Sequence, residues 1–205
     1  MTEAVEIRAS DGAVLRGEVR RAGPSWTILV HEQGEDLDAW KPLPAVLAAR
    51  GFTVLTHDQR GHGCSDGTAS QDLDGDDLVR VVAFARDLGA GDIYMGAAGT
   101  STGPALEAAG ASACTAFVAL GPLGLALERT PALPKLAIVA SRDPEQEAAS
   151  AQLALARGGC VVVRLPLAER GTALLRGAWA SNVQEYVAGY IRDRELSRPG
   201  PKVGA

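Results

Sequence analysis

Short segments that are apolar throughout alternate in this sequence with longer segments of helical periodicity, and this alternation is its strongest constraint on the fold. Residues 26–30 (WTILV), 114–120 (CTAFVAL) and 135–141 (KLAIVAS) are such apolar segments. A strand that is apolar on both sides must be buried on both faces, which is typical of a parallel sheet covered by helices. The chain is therefore predicted to be an α/β protein with a largely parallel sheet.

The full series of elements follows from the same periodicities. Eight strands are predicted, at residues 3–8, 13–20, 26–30, 52–57, 92–97, 114–120, 135–141 and 159–165. The first two flank Asp11-Gly12 and are predicted to form an antiparallel hairpin. Five helices are predicted, at residues 40–50, 71–88, 102–111, 144–157 and 173–193. Together these elements predict one domain over residues 1–196, followed by a flexible tail at 197–205.

Charge and composition exclude several classes of function. The net charge of −5 argues against nucleic acid and against an anionic membrane surface as partners. The sequence has no apolar run of the roughly 18 residues that a membrane helix needs, and its acidic start is unlike a secretory signal, so we expect a cytoplasmic protein. Its three cysteines lack the spacing of a zinc site or a disulfide framework. The expected partner is a small-molecule ligand, with no metal and no cofactor; the sequence does not indicate an oligomeric state.

Polar motifs follow the predicted strands, at the edge of a parallel sheet where ligands bind. The third strand is followed by His31-Glu32-Gln33-Gly34, an H-x-x-G turn, and the fourth by DQRGHGCS, which matches D-x-R-G-H-G-x-S. Later segments read LAIVASRD and LAERGTALL. In these motifs, and over nearly its whole length, the sequence resembles the α/β-hydrolases, in particular the small dienelactone-hydrolase-like esterases. The resemblance implies an α/β-hydrolase fold, with an eight-stranded sheet and helices on both of its faces.

The resemblance also implies a catalytic triad, and the sequence departs from it at the base. In this family a Ser or Cys on a G-x-S-x-G elbow attacks the substrate, a histidine takes its proton, and a carboxylate orients the histidine. The family reads G-H-G-T-x-L-L where this chain has LAERGTALL, so Arg170 stands at the histidine position. Arginine stays protonated at ordinary pH and cannot act as a general base. All three histidines lie in the first third of the chain.

The position of the nucleophile has two alternatives. Alignment by strand length puts Ala98 at the elbow, whereas alignment by motif selects Gly99-Thr100-Ser101-Thr102-Gly103, an intact G-x-S-x-G with Ser101 as nucleophile. Ser101 is equally compatible with an N-cap of the following helix. If Ala98 is the aligned residue, the nucleophile and the base are missing together.

The remaining site residues also have two interpretations each. Asp143 is the triad acid by position, but an Asp followed by Pro144 is also a helix-start signature. Arg170 either binds a ligand carboxylate or forms a salt bridge with Asp143. His31 is a weak candidate for a base serving Ser101, and more simply a loop brace. The predicted oxyanion and pocket residues are His31, Glu32, Gln33, Gly99 and Thr100.

Only about 14 residues separate the sixth and seventh strands, where many members of the family insert a cap, so the pocket is predicted to be capless and open. The primary hypothesis is a hydrolase-like protein with a degenerate triad, Ala98, Asp143 and Arg170, which binds a small acyl or carboxylate ligand or a partner. The alternatives are an esterase that uses Ser101 and a non-hydrolytic lyase or cyclase that uses the same pocket.

Overall fold

The computed structural model describes residues 1–69 and 71–197, without the side chains of residues 71–74 and 127. Its strands are β1 Thr2–Arg8, β2 Val14–Arg20, β3 Trp26–Val30, β4 Thr53–His57, β5 Ile93–Ala98, β6 Ala116–Leu120, β7 Lys135–Ala140 and β8 Cys160–Leu165. Its α-helices are α1 Leu43–Ala49, α2 Gln71–Asp87, α3 Thr102–Ala111, α4 Pro144–Leu155 and α5 Ala180–Leu196. The predicted flexible tail at 197–205 lies, apart from Ser197, outside the described residues.

All eight strands form one sheet, in the order β1-β2-β4-β3-β5-β6-β7-β8. The β1–β2 and β2–β4 pairs are antiparallel, and the pairs from β4 through β3 to β8 are parallel. The β1–β2 hairpin turns at Asp11-Gly12, as predicted, with Gly12 at a φ of 91°. The parallel strands therefore all end at one edge of the sheet, where the polar motifs meet.

The sheet separates two hydrophobic cores because side chains alternate between its faces. Ile28 packs in the core formed with α2, α3 and α4, whereas its neighbour Leu29 packs in the core formed with α1 and α5. The apolar runs of the sequence thus correspond to strands buried on both faces, and the predicted α/β-hydrolase fold with helices on both sides is confirmed.

The connection between β6 and β7, residues 121–134, holds one short 3₁₀ turn, Leu127–Arg129, so the described chain carries no cap domain. None of the described helices has the length and apolar character needed to cross a membrane.

The predicted last helix, 173–193, is wrong at its start. Residues Gly171–Leu175 form a 3₁₀ helix, and α5 begins only at Ala180. Gly177 lies between them with a φ of 79°, a left-handed conformation that interrupts a right-handed helix. The 3₁₀ segment buries Leu174 and Leu175 against the α1–α5 core, which explains why its apolar spacing resembled that of the helix.

Candidate active site

The turn from β5 into α3 is the centre of the site. Ala98 ends β5 in an extended conformation, with φ −115° and ψ 147°, and its side chain is fully buried. Gly99 follows with a φ of 51° and starts a short 3₁₀ helix that ends at Ser101. The sharp turn therefore comes at Gly99, one residue after Ala98 and two residues before Ser101.

The carboxylate of Glu32 fills the space above this turn. Glu32 lies on the turn after β3, the strand that pairs with β5. A Cβ atom built on Gly99 would overlap the Glu32 carboxylate, and so would one built on Gly171. The backbone N–H of Thr100 donates a hydrogen bond of 3.3 Å to Glu32 Oε1. A side chain at the turn and the Glu32 carboxylate thus exclude each other.

Burial raises the pKa of Glu32 above its ordinary value. The hydrogen bond from Thr100 and the nearby Arg170 guanidinium act in the opposite direction, while the negative charge of Glu35 adds to the increase. Glu35 is fixed by the Thr172 hydroxyl, which donates to its Oε1 at 2.6 Å. The site thus contains two neighbouring carboxyl groups, of which Glu32 holds its proton more readily than an exposed glutamate.

Ser101 lies beneath the turn and faces an amide. Its side chain is buried, and Gln59 Nε2 donates to Ser101 Oγ at 3.3 Å. Ser101 occupies the N-cap position of α3, but its side chain makes no capping hydrogen bond. Among the described residues, no imidazole hydrogen-bonds to Ser101 Oγ.

Both ring nitrogens of His31 are occupied by the backbone. Nδ1 donates to the Glu32 carbonyl at 2.8 Å, and Nε2 accepts from the Gln59 N–H at 2.9 Å, which fixes a neutral ring. His31 is fully buried, and this burial lowers its pKa. The residue therefore braces the ends of β3 and β4, and Gln59 lies between its ring and Ser101.

Asp143 and Arg170 form an ion pair at the ends of β7 and β8. Arg170 Nε lies 2.5 Å from Asp143 Oδ2, and its Nη1 lies 2.9 Å from Glu145 Oε2. Asp143 also caps α4, because its Oδ1 accepts from the backbone N–H groups of Glu145 and Gln146 at 2.9 and 3.2 Å. Although burial raises it, hydrogen bonds from Gln146, Arg170 and Glu145 hold the pKa of Asp143 below its usual value.

An open polar cavity of about 540 Å³ adjoins the site through Glu35. It is lined by Gly34, Glu35, Asp36, Asp38, Ala39, Gly61, His62, Gly63 and Arg176. The His62 ring is held by the Gly34 N–H at Nε2 and by the Arg60 carbonyl at Nδ1. In the part of the chain that the structure describes, no group of three or more His, Cys, Asp or Glu side chains is arranged to hold a metal ion.

The structure therefore brings together Glu32, Gly99 and Thr100 of the predicted site, and it pairs Asp143 with Arg170, whose charge also acts on Glu32. Gln33 follows Glu32 on the same turn and is partly buried. Four further residues of the site were not predicted from the sequence: Gln59, Glu35, Thr172 and Gly171. Gly171 could have been included from the sequence, because it directly follows the family histidine position and a glycine there leaves space for another side chain, here Glu32.

Comparisons with known proteins agree with this architecture. A family model described as the alpha/beta hydrolase family matches residues 25–202. No curated protein matches the sequence. Among solved structures, Est1E of Butyrivibrio proteoclasticus, solved with ferulic acid bound, is 17% identical with a TM-score of 0.83, over 94% of this chain and 100% of that one.

Two further structures show the same fold. XC6422 of Xanthomonas campestris, described as a serine hydrolase without a lid, is 18% identical with a TM-score of 0.82, over 97% of each chain. A dienelactone hydrolase of Anabaena variabilis is 18% identical with a TM-score of 0.76, over 94% of this chain and 97% of that one. The match of the family model over most of the chain, together with the eight-stranded sheet and its capless edge, shows that this protein belongs to the alpha/beta hydrolase family.

Proposed function

We propose that this protein is a non-hydrolytic member of its family, which binds a small acyl compound at the β5–α3 turn without forming a covalent intermediate. The observation that carries the proposal is the Glu32 carboxylate, which fills the space that a nucleophile on Gly99 would need. Hydrolysis in this family requires a nucleophile on a sharp strand-to-helix turn. Here the residue at that turn has no side chain.

The acid and base positions support the same conclusion. Asp143 is paired with Arg170, a permanent cation that cannot accept a proton from a serine. In a working triad the acid would orient an imidazole instead. The absence of a nucleophile at Gly99 and of a base at 170 is mutually consistent, since neither group is useful without the other.

The alternative of an esterase that uses Ser101 has less support. Ser101 Oγ is buried and hydrogen-bonded to the Gln59 amide, which cannot take up a proton. His31, the base considered for it, uses both ring nitrogens in backbone hydrogen bonds. Activation of Ser101 would require both contacts to rearrange.

Acid–base catalysis by Glu32 is a second candidate function, corresponding to the lyase or cyclase hypothesis. A half-buried carboxyl group with a raised pKa, beside a turn that can hold a ligand, is suited to donate or accept a proton in a reaction. In that case wild type and Ser101→Ala would form product equally from a substrate, and Glu32→Gln would lose this activity.

The test of the main proposal is fluorophosphonate labelling of the purified protein, read by intact mass and peptide mapping. We expect no adduct on folded wild type, because no serine is activated. The Ser101→Ala variant is the matched control, and its labelling should equal that of wild type. A single adduct on Ser101 that disappears in this variant would overturn the proposal and establish an active serine hydrolase.

We also propose that the protein is cytoplasmic.

A further inference from the structure

We propose that Glu32 is a specificity-determining residue, which excludes ligands with a negative charge from the β5–α3 turn and admits neutral acyl compounds such as amides. This inference rests on the proposed function and names the substrate class of the same site. It follows from a competition between Glu32 and the ligand for one hydrogen-bond donor.

The competition is set by the backbone of the turn. The Thr100 N–H has a single hydrogen, and Glu32 Oε1 accepts it. The Glu32 carboxylate also occupies the space in front of Gly99 and Gly171, since neither residue could carry a Cβ beside it. A ligand oxygen can therefore reach Thr100 only after the Glu32 carboxylate has moved away.

The charges around the turn then decide which ligand can replace Glu32. The displaced carboxylate remains attached to the same turn, and Glu35 lies close enough to act on it electrostatically. The cation that faces Glu32 is Arg170, whose guanidinium is already shared between Asp143 and Glu145. A bound carboxylate would be repelled by the charges of Glu32 and Glu35 and would gain little from Arg170, which already pairs with two carboxylates. An amide carbonyl carries no net charge and would not be repelled.

Butyramide and butyrate test this inference, because they are similar in size and differ in charge. Binding is followed by the NMR shift of the Thr100 amide in ¹⁵N-labelled protein at about pH 8, well above the ordinary pKa of a carboxyl group. In wild type we expect butyramide to shift this amide and butyrate to bind about tenfold more weakly or not at all. In Glu32→Gly, butyrate affinity should rise by about tenfold or more.

Two variants test whether the charge at residue 32, and not side-chain size or net charge, sets the preference. Glu32→Gln keeps the side-chain volume and an acceptor for Thr100 but removes the charge, so we expect it to reduce the preference for butyramide. Glu107→Gln removes one negative charge at an exposed position of α3 and should behave as wild type. In wild type, butyrate affinity should rise as the pH falls from about 8 toward the raised pKa of Glu32, and in Glu32→Gln it should rise less.

Equal affinities for butyrate in wild type and Glu32→Gly, with the Thr100 amide shifted in both, would overturn the inference and leave non-covalent acyl binding intact. A Thr100 amide that neither compound shifts in Glu32→Gly would also overturn it, because the vacated turn must accept a carbonyl oxygen. Failure of the non-hydrolytic proposal is seen separately, as a fluorophosphonate adduct on Ser101.

Discussion

Glu32 brings a negative charge into a half-buried position, and its stability effect has a definite sign. Its folded pKa is raised, so the folded protein binds this proton more tightly than the unfolded chain does. The contribution to stability is therefore full below the unfolded value near 4.5 and is lost as the pH rises through the folded pKa. Above the folded pKa, the partly desolvated charge of Glu32 lowers the free energy of unfolding.

We therefore expect Glu32→Gln to be more stable than wild type at neutral pH, by less than about 1 kcal/mol because the group is partly solvated. The advantage should disappear as the pH falls below about 4.5, where Glu32 is protonated in both states. Urea unfolding at several pH values measures it. A variant less stable than wild type at neutral pH would show that the charged hydrogen bond from Thr100 outweighs the desolvation.

Asp143 and Arg170 share an ion pair but should differ in their effect on stability. Replacing Asp143 by Asn keeps an oxygen that can cap α4 but removes the charge from the capping hydrogen bonds and from the pair, and should cost about 1 kcal/mol at neutral pH. Arg170 is half exposed, so Arg170→Gln should cost at most a few tenths of a kcal/mol, roughly. Because the folded pKa of Asp143 is lowered, the deficit of Asp143→Asn should shrink as the pH falls below about 3.8. Equal losses in the two variants would show that the pair, and not the cap, dominates.

Single residues were predicted unevenly. Asp143 was assigned to the site because it comes just after the seventh strand, and Arg170 because it stands at the family histidine position; the salt bridge was one of the two interpretations of Arg170. The position of the Glu32 carboxylate could not be predicted, because its partners Gly99 and Gly171 are distant in sequence and meet it only across the sheet edge. The turn at Gly99 was missed for a similar reason: strand length does not reveal at which residue φ becomes positive.

Among the secondary-structure elements, the end of the chain shows how backbone conformation overrides apolar spacing. Gly177 separates the 3₁₀ helix Gly171–Leu175 from α5, and Gly189 lies within α5. A Cβ atom added to either glycine would contact nothing within 4 Å. The two positions therefore differ in backbone conformation alone, since Gly177 has a φ of 79° and Gly189 is helical.

This pair gives a matched prediction. Gly177→Ala should destabilise the protein by about 1–2 kcal/mol, because alanine is strained in the left-handed region. Gly189→Ala should stabilise it by about 0.5–1 kcal/mol, because alanine favours a helix interior. Thermal unfolding of both variants measures the difference. If Gly177→Ala is as stable as Gly189→Ala, the left-handed conformation at residue 177 imposes no strain on alanine, and the prediction is wrong.

The other elements followed the sequence closely because their signals are local. The antiparallel hairpin, the buried parallel strands and the start of α4 depend on turn residues, apolar runs and an Asp-Pro pair, all within a few residues of each other. The start of α5 depends on the left-handed Gly177 and on burial of the 3₁₀ segment in the core beside α5, which a local apolar pattern does not contain.

For the whole molecule, the parallel order of β3, β5, β6, β7 and β8 gathers residues from distant parts of the chain at one edge. Glu32, Gly99, Asp143 and Arg170 all follow such strands. The scaffold of the alpha/beta hydrolase family is therefore present, and under the proposed function what differs is the set of side chains at its edge.

The proposed function predicts that introducing the triad side chains confers hydrolytic activity. The triple variant Glu32→Gly, Gly99→Ser and Arg170→His should gain fluorophosphonate labelling and hydrolyse p-nitrophenyl acetate above the wild-type rate by about 10²-fold or more, the range of general-base assistance. Serine at a φ of 51° costs about 1–2 kcal/mol, so folding is checked by circular dichroism. The control replaces Gly99→Ser by Ala98→Ser, which puts the hydroxyl on a fully buried residue and should stay inactive. Activity in the control alone would locate the catalytic turn at Ala98.

The mutual exclusion of Glu32 and side chains at Gly99 and Gly171 also constrains the order in which such a site can change by single mutations. A serine that arises first at Gly99 meets the Glu32 carboxylate, so this step lowers stability before it gives any benefit. Loss of the Glu32 side chain, in contrast, needs no prior change. Single-step paths from a bound carboxylate to a hydroxyl nucleophile on this scaffold therefore meet less steric hindrance when they begin at residue 32 and pass through an intermediate that has neither group.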